Sequence, residues 1–571
     1  MTTSSYRISG GDPIGRLARS ITDNWLLGLR RTNPAIIDIF RERDKKPYRD
    51  LLPWSGEFAG KYITGAYYIY KLTNDGRIPG EIAAFIDELV STQASDGYLG
   101  CYSKECRLTG AFSQDPCKKS GTWDSWSHYH IMLGIILWYG ETGKREWLDC
   151  VFKAAELFIN TFYRDDCGGR RIVDMESSEM NLSVIHAFAM LYRMTGDKKY
   201  LDFAENIVRD LSDARAGDYI GSVKRGEDYY QCAKPRWESL HIIIGLAELY
   251  RANGNEDYFE TARHIFYSIL KTDVHNTGAF STAEQAVGDP FTKGAIETCC
   301  VIAYNALAVE IYRLTGDTAI LDHLELSLYN ACMGFWSPTG RWSTYDTPME
   351  GHKYSNTTSI VFQSRPGSPE LNCCSVNAPR GIGMLSEWAV AEDKDTVYIN
   401  AFAAASAKCG NGAAIDISGN YPYDGEIQIK AEDFTGNICV RIPSWSKDTI
   451  LGFGGRKIPV ISGEYISIPC EGAAEIDVSL DMSLRYASGE KDFAGKTCVY
   501  RGPLLLGTDS QSCGDHDAAD LPEISKDEIE NAVPEIGGED ISLDLASGIT
   551  LKEFSRLGVS GGYYTTWLKI K

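Results

Sequence analysis

The chain has 571 residues, 43% of them apolar and 24% charged, ordinary globular proportions that exclude fibrous and disordered classes. Its formal charge of −21 repels phosphate backbones and anionic lipid, which argues against nucleic-acid and membrane-surface partners. No apolar run approaches the roughly 18 residues that span a bilayer.

The opening Met1-Thr-Thr-Ser-Ser-Tyr6 has no charged-then-apolar leader, which sets the expectation of a cytoplasmic location. In that reducing compartment the sixteen cysteines read as packing, metal or catalytic residues rather than disulfides.

From about Ile14 to Trp388 the pattern is helical, and it repeats. Leu191-Tyr-Arg-Met-Thr-Gly-Asp197 recurs as Leu249-Tyr-Arg-Ala-Asn-Gly-Asn255 and as Ile311-Tyr-Arg-Leu-Thr-Gly-Asp317, with a looser copy at Leu137–Lys144. The glycines Gly143, Gly196, Gly254 and Gly316 stand 53, 58 and 62 residues apart. Each follows a segment with apolar residues at helical spacing, such as Ile185, Phe188, Ala189 and Tyr192. Glycine ends one helix in a left-handed cap and polar residues start the next. One period is therefore two helices, and six pairs need roughly 330 to 350 residues. The spacing predicts an (α/α)6 toroid over residues 1–388, although the repeats alone also allow an open solenoid.

Within this region Trp123-Asp-Ser-Trp-Ser-His-Tyr-His130 places polar groups in an apolar helix. Trp123, Trp126 and His130 share one face, and Asp124 and His128 the next. Such faces suit either a substrate cleft or hydrogen bonding between helices. Two cysteine clusters follow, Glu297-Thr-Cys299-Cys300 and Asn372-Cys373-Cys374-Ser375. One carboxylate and three thiolates from two loops make a tetrahedral zinc set. The residues alone leave buried, unliganded cysteines as the alternative.

Near residue 390 the pattern changes to period-two alternation. Thr396–Asn400, Ile427–Lys430, Ile438–Ile442 and Tyr465–Pro469 alternate between Gly, Pro and Asp clusters, which predicts an antiparallel β-sandwich over 389–571. The acidic stretch from about 515 to 545 reads as a loop or insertion, and Thr565–Ile570 as a last strand.

Gly294-Ala-Ile-Glu-Thr-Cys-Cys300 and Leu371-Asn-Cys-Cys-Ser-Val-Asn-Ala-Pro-Arg-Gly381 resemble the signature of glycoside hydrolase family 127, the β-L-arabinofuranosidases. Gly56-Glu-Phe-Ala-Gly-Lys-Tyr62, Arg441-Ile-Pro-Ser-Trp445 and Tyr500-Arg-Gly-Pro-Leu504 are similar too, so the resemblance runs from about 14 to 507. It implies an (α/α)6 barrel with a β-sandwich. It implies zinc held by Glu297, Cys299, Cys373 and Cys374, with Cys373 as nucleophile. The acid/base follows a Thr-Gly stretch, here Asn276-Thr-Gly-Ala-Phe-Ser-Thr-Ala-Glu284, which assigns Glu284. The chain departs from the family where Trp123 and Asp124 replace a His and a Glu, where Asn181 replaces a His, and at Pro235-Arg-Trp-Glu238. These departures bear on the sugar. Trp54, Glu57, Trp123, Asp124, His128, His130, Glu238, His241 and Tyr345 are the candidate pocket residues, with Asp346 beside them.

The implied reaction is retaining exo-hydrolysis of a furanoside in a small glycoside or oligosaccharide. A nucleophile and an acid flank the glycosidic bond, and metal holds the thiol, whose free pKa is about 8.5, as thiolate. Two alternatives stand beside it: a carboxylate pair, Asp124 with Glu284, and a glycan-binding toroid without catalysis. A homodimer is left open, as is the role of Cys300.

Overall fold

The computed structural model describes residues 2–113, 121–165, 168–355, 371–537 and 540–571. The chain starts with two short strands, β1 (Thr2–Thr3) and β2 (Ser5–Ile8). Helix α1 (Pro13–Ile21) follows, with Pro at its start and Asp12 accepting from the Ile14 N–H as its cap.

Five helix pairs come next. They are α2 (Glu57–Thr73) with α3 (Arg77–Val90), α4 (Asp124–Thr142) with α5 (Arg145–Thr161), and α6 (Ile185–Thr195) with α7 (Lys198–Asp210). Then α8 (Leu240–Asn253) joins α9 (Glu256–Thr272), α10 (Thr298–Thr315) joins α11 (Thr318–Ser327), and α12 (Cys373–Gly383) stands last. The repeat glycines do what their spacing predicts. Gly143, Gly196, Gly254 and Gly316 end α4, α6, α8 and α10 with φ of 66°, 68°, 70° and 70°. Asp197, Asn255 and Asp317 cap the following helices through their side chains. A further copy escapes the sequence pattern because Asn74, with φ 55°, stands where the others have glycine.

The even-numbered helices are buried almost all round, as α4 shows from Asp124 to Ile136, whereas the odd-numbered ones bury one stripe. Helix α2 packs on α4, α4 on α6, α6 on α8, α8 on α10, α10 on α12 and α12 back on α2. Helix α1 lies against α12 and α2. Gly60 sets the α2–α4 approach, since a Cβ there would stand 2.2 Å from the His130 carbonyl carbon.

Beyond α12 the chain is β-rich. The first sheet holds β3 (Val390–Asp393), β4 (Thr396–Ile399), β5 (Ala405–Lys408), β6 (Ala414–Gly419), β7 (Glu426–Arg441) and β8 (Tyr465–Ser479). Strand β1 pairs with β3 and β2 with β5, so Thr2–Thr3 and Ser5–Ile8 belong to this sheet and not to the helical part that the sequence assigns them to. Two further expectations are corrected. The segments 427–430 and 438–442 fall on one long strand, β7, which ends at Arg441 and leaves only Ile442 outside it. The sheet is not wholly antiparallel, because β4 and β7 run parallel. A second sheet is built on Leu484–Ser488, Thr497–Arg501 and Leu504–Asp509. The acidic stretch is ordered among its described residues: a helix at Lys526–Asn531 and strands at Pro534–Ile536 and Ile541–Asp544. Of the C-terminal run, only Thr565 is in a strand, and Leu568 and Ile570 form isolated bridges.

The β region is bound to α11 and the residues just after it. Buried Arg441 pairs with Glu325 at 2.8 Å, and the Trp445 indole N–H donates to the same carboxylate at 2.9 Å. Asn330 donates to Pro503 O at 2.9 Å and accepts from Leu505 N at 2.8 Å. No helix among the described residues is long and apolar enough to cross a membrane.

Candidate active site

The site forms at the N-terminal ends of the buried helices. Asn372 caps α12 by accepting from Ser375 N, and Ser375 reciprocates, so Cys373 and Cys374 occupy the first helical turn. Glu297 precedes α10 directly, which sets Cys299 in its first turn. Two helix N-termini thus point their free N–H groups and positive dipole ends at one cluster.

The Cys374 sulfur lies 3.3 Å from Glu297 Oε1 and 3.6 Å from the Cys299 sulfur. The Cys373 sulfur lies 3.8 Å from Glu297 Oε1 and 3.9 Å from the Cys374 sulfur. All four donor atoms lie within 4.8 Å of one another and all four residues are buried. A tetrahedral zinc with Zn–S near 2.3 Å and Zn–O near 2.1 Å requires edges of about 3.5 to 3.8 Å. Four of the six spacings, from 3.3 to 3.9 Å, bracket those edges and the rest lie within 4.8 Å, so the donor set could hold a divalent cation that accepts thiolate ligands. Electrostatics agrees. Burial, together with the negative charge of Glu284 and Cys299, pushes the Glu297 carboxyl well up, and burial raises the Cys373 and Cys374 thiols. Against burial, hydrogen bonds from the neighbouring thiols, the Lys61 charge and Asn377 hold the Cys299 thiol well down. Four acidic donors out of water need more positive charge than one ammonium supplies.

That ammonium is Lys61, on α2. It is 1% exposed, 3.0 Å from Glu57 Oε1 and 3.7 Å from the Cys299 sulfur. Asn377 donates to Cys299 at 3.5 Å, and the Tyr345 hydroxyl lies 3.6 Å from Cys373. Cys300 faces the other carboxylate oxygen of Glu297 at 3.7 Å and stands outside the four-donor set.

A cavity of about 160 Å³ opens onto Cys373 and Glu297. Trp54, Glu57, Trp123, Glu238, Glu284 and Tyr345 line it, so the structure brings these predicted residues together. The rings of Trp54 and Trp123 stand 5.0 Å apart. Glu284 is 24% exposed, and Arg236 holds its Oε2 at 2.5 Å while gripping Glu238 at 2.7 and 2.9 Å. Ser281, Ala283 and Glu284 all have positive φ (86°, 47° and 69°), strain of the kind that concentrates at functional sites. Burial and the Glu284 charge push Asp346 up to about 7, and its Oδ2 has no partner among the described residues.

Other predicted residues lie elsewhere. Cys299 and Cys374 are behind the cavity wall. His130 and His241 form a layer beneath, their rings 4.3 and 5.0 Å from Trp126, whose indole N–H donates to Glu57. Burial holds both histidines well below their usual range, so they are neutral. Asp124 and His128 point away from the cavity. Asp124 accepts from the Tyr98 hydroxyl at 2.9 Å and Leu108 N at 2.8 Å, and His128 accepts from Leu99 N at 3.1 Å. These two hold a loop in place, and Asp124 does not meet Glu284 as a carboxylate pair. Lys61, Arg236 and Trp237 are site residues that the sequence reading passed over. The signal for Lys61 was its i,i+4 pairing with Glu57 in an apolar helix.

The family model described as Beta-L-arabinofuranosidase, GH127 catalytic domain, matches residues 34–387, more than half of the chain. The chain belongs to the GH127 family. It is a glycoside hydrolase. A relative, the non-reducing end β-L-arabinofuranosidase of Bifidobacterium longum subsp. longum, is 23% identical over 501 residues, spanning 78% of this chain and 74% of its own. Two solved GH127 structures share the fold. A β-arabinofuranosidase is 19% identical with a TM-score of 0.80, covering 100% of this chain and 98% of its own. A β-L-arabinofuranosidase from Geobacillus stearothermophilus T6 is 18% identical with a TM-score of 0.77, covering both chains fully.

Proposed function

We propose that this GH127 protein is a zinc-dependent, retaining, exo-acting β-L-arabinofuranosidase with Cys373 as nucleophile and Glu284 as acid/base. The observation that carries the reading is the buried Glu297–Cys299–Cys373–Cys374 cluster, its four donor atoms within 4.8 Å of one another, opening on a cavity that also holds Glu284. The cycle of packing from α2 through α12 back to α2 supports an (α/α)6 toroid as the frame of this site, followed by a β-sandwich from about residue 389.

Zinc, when bound, would keep the Cys373 sulfur as thiolate. The Cys373 sulfur attacks the anomeric carbon, and the glycosidic C–O bond breaks as the C–S bond forms. Glu284 gives its proton to the departing oxygen. In the second half the Glu284 carboxylate takes a proton from water, the water oxygen bonds the anomeric carbon, and the C–S bond breaks. Arg236 fixes Oε2 of Glu284, which orients the carboxyl for both transfers. The Tyr345 hydroxyl steadies the sulfur that leaves. A cavity of about 160 Å³ accommodates one sugar ring, which supports cleavage at a chain end. The Trp54–Trp123 pair supplies an apolar platform for that ring.

The test is zinc content by elemental analysis beside hydrolysis of an aryl β-L-arabinofuranoside. One zinc per chain, with activity lost on chelation and restored by zinc, supports the reading. Full turnover by zinc-free protein, or by Cys373→Ala, overturns it.

A further inference from the structure

The opposite ends of the same helices enclose a second cavity, of about 610 Å³, which the proposed reaction does not use. The repeat builds its wall. Tyr68, Leu137, Met190, Glu248 and Glu310 occupy one equivalent position, four residues before Leu72, Glu141, Met194, Ala252 and Leu314, and all five line it. The arginines three residues later in α6, α8 and α10 knit the wall together. Arg193 pairs with Glu248, Arg251 with Glu310, and Arg313 with Glu387. Arg251 and Arg313 also reach back to the glutamates of their own helices at 3.0 and 2.9 Å.

This ladder leaves one cation over. Four arginines but three glutamates face the cavity, and the fourth arginine is Arg380 of α12. Arg380 is 6% exposed, its Nε has no hydrogen-bond partner among the described residues, and its contact is the Tyr68 ring at 5.5 Å. A buried guanidinium without an acceptor is costly unless something supplies one. The remaining wall is mostly aliphatic, from Leu133, Ile244 and Val309, with one imidazole, His186, whose Nδ1 lies 3.1 Å from the Tyr129 hydroxyl and which burial holds below its usual range.

We propose that this cavity is a second binding site, for a hydroxylated monocarboxylate of sugar size whose carboxylate seats on Arg380. The guanidinium fork matches a planar carboxylate. One negative charge completes the alternation, whereas a dianion would face three glutamates. The ladder's arginines and glutamates offer donors and acceptors to hydroxyls, and the aliphatic wall offers a surface to a carbon skeleton. This site is independent of the zinc and nucleophile assignments.

The test is calorimetric titration of the purified full-length protein with D-gluconate, with sorbitol as its neutral counterpart, and with inorganic phosphate. Gluconate is expected to bind, with unchanged affinity in saturating L-arabinose. Sorbitol is expected not to bind, and phosphate to bind more weakly. Arg380→Gln should weaken gluconate by roughly tenfold or more. Met190→Glu, at a half-buried position, adds the missing carboxylate of the repeat and should abolish binding; it decides the matter if Arg380→Gln does not fold. Equal binding of sorbitol, tighter binding of phosphate, competition by L-arabinose, or gluconate binding unaltered by Met190→Glu overturns the proposal.

Discussion

The two ends of the buried helices handle charge in opposite ways. At the N-terminal ends three thiols and a carboxylate crowd together with one buried lysine, a negative excess that a divalent cation would balance. At the C-terminal ends arginines and glutamates alternate from helix to helix and balance one another to within one charge. The backbone contributes at both places, since helix N-termini favour anions and C-termini favour cations. The thiolate-forming end and the arginine end therefore each follow the dipole. The lesson is that one repeat can carry reactive chemistry at one end and mechanical cohesion at the other, because its side chains are free to differ along the axis.

Substitutions at the two ends should separate these roles. Cys373→Ala should lower kcat on an aryl β-L-arabinofuranoside by roughly 10⁶-fold, the order of loss seen when a catalytic nucleophile is removed. It should leave the far-ultraviolet circular dichroism unchanged; loss of the helical signal along with activity would mean that the cluster is structural first. Lys61→Met leaves Glu57 buried without its cation and should cost about 3 to 5 kcal/mol in urea unfolding. Glu57→Gln combined with Lys61→Met should recover part of that loss, and strict additivity would show that the pair does not couple. Arg251→Met breaks two partly exposed pairs of the ladder and should cost about 2 kcal/mol, with little change in KM. A large rise in KM would tie the far end to the catalytic cavity. Asn74→Gly should stabilise the protein by a few tenths of a kcal/mol, because glycine adopts the left-handed cap more easily than asparagine. A loss there would mean that the Asn74 side chain contributes more than its backbone.

Much of this was legible in the sequence for local reasons. A glycine at a helix end announces itself, and Gly196, Gly254 and Gly316 did so at a steady period. The cysteine strings stood out because a Glu-x-Cys and an adjacent cysteine pair bring together the carboxylate and thiolate donors that suit a metal. What escaped depends on facts that spacing does not carry. Helical arithmetic put Asp124 and His128 on a common face, and they do share one, but it gives no rotational phase about the helix axis. That face points at the loop carrying Tyr98 and Leu108. Lys61 looked like any lysine that could reach solvent, and its burial follows from α12 packing on α2. The segments 427–430 and 438–442 read as separate strands, yet β7 runs through Thr435-Gly436-Asn437 between them, since its pairing with β8 overrides local propensity.

The pairing of β1 with β3 and of β2 with β5 has a consequence for biosynthesis. The partners of Thr2–Ile8 lie some 390 residues downstream. At 5 to 20 residues per second, the ribosome needs roughly 20 to 80 seconds to deliver them. Throughout that interval the leading strands emerge with open edges, and the last helix that meets α1 does not yet exist. The strands at Thr2–Ile8 thus stay unpaired until residues 391–408 have emerged, and only then can the helical region be tied to the first sheet through them.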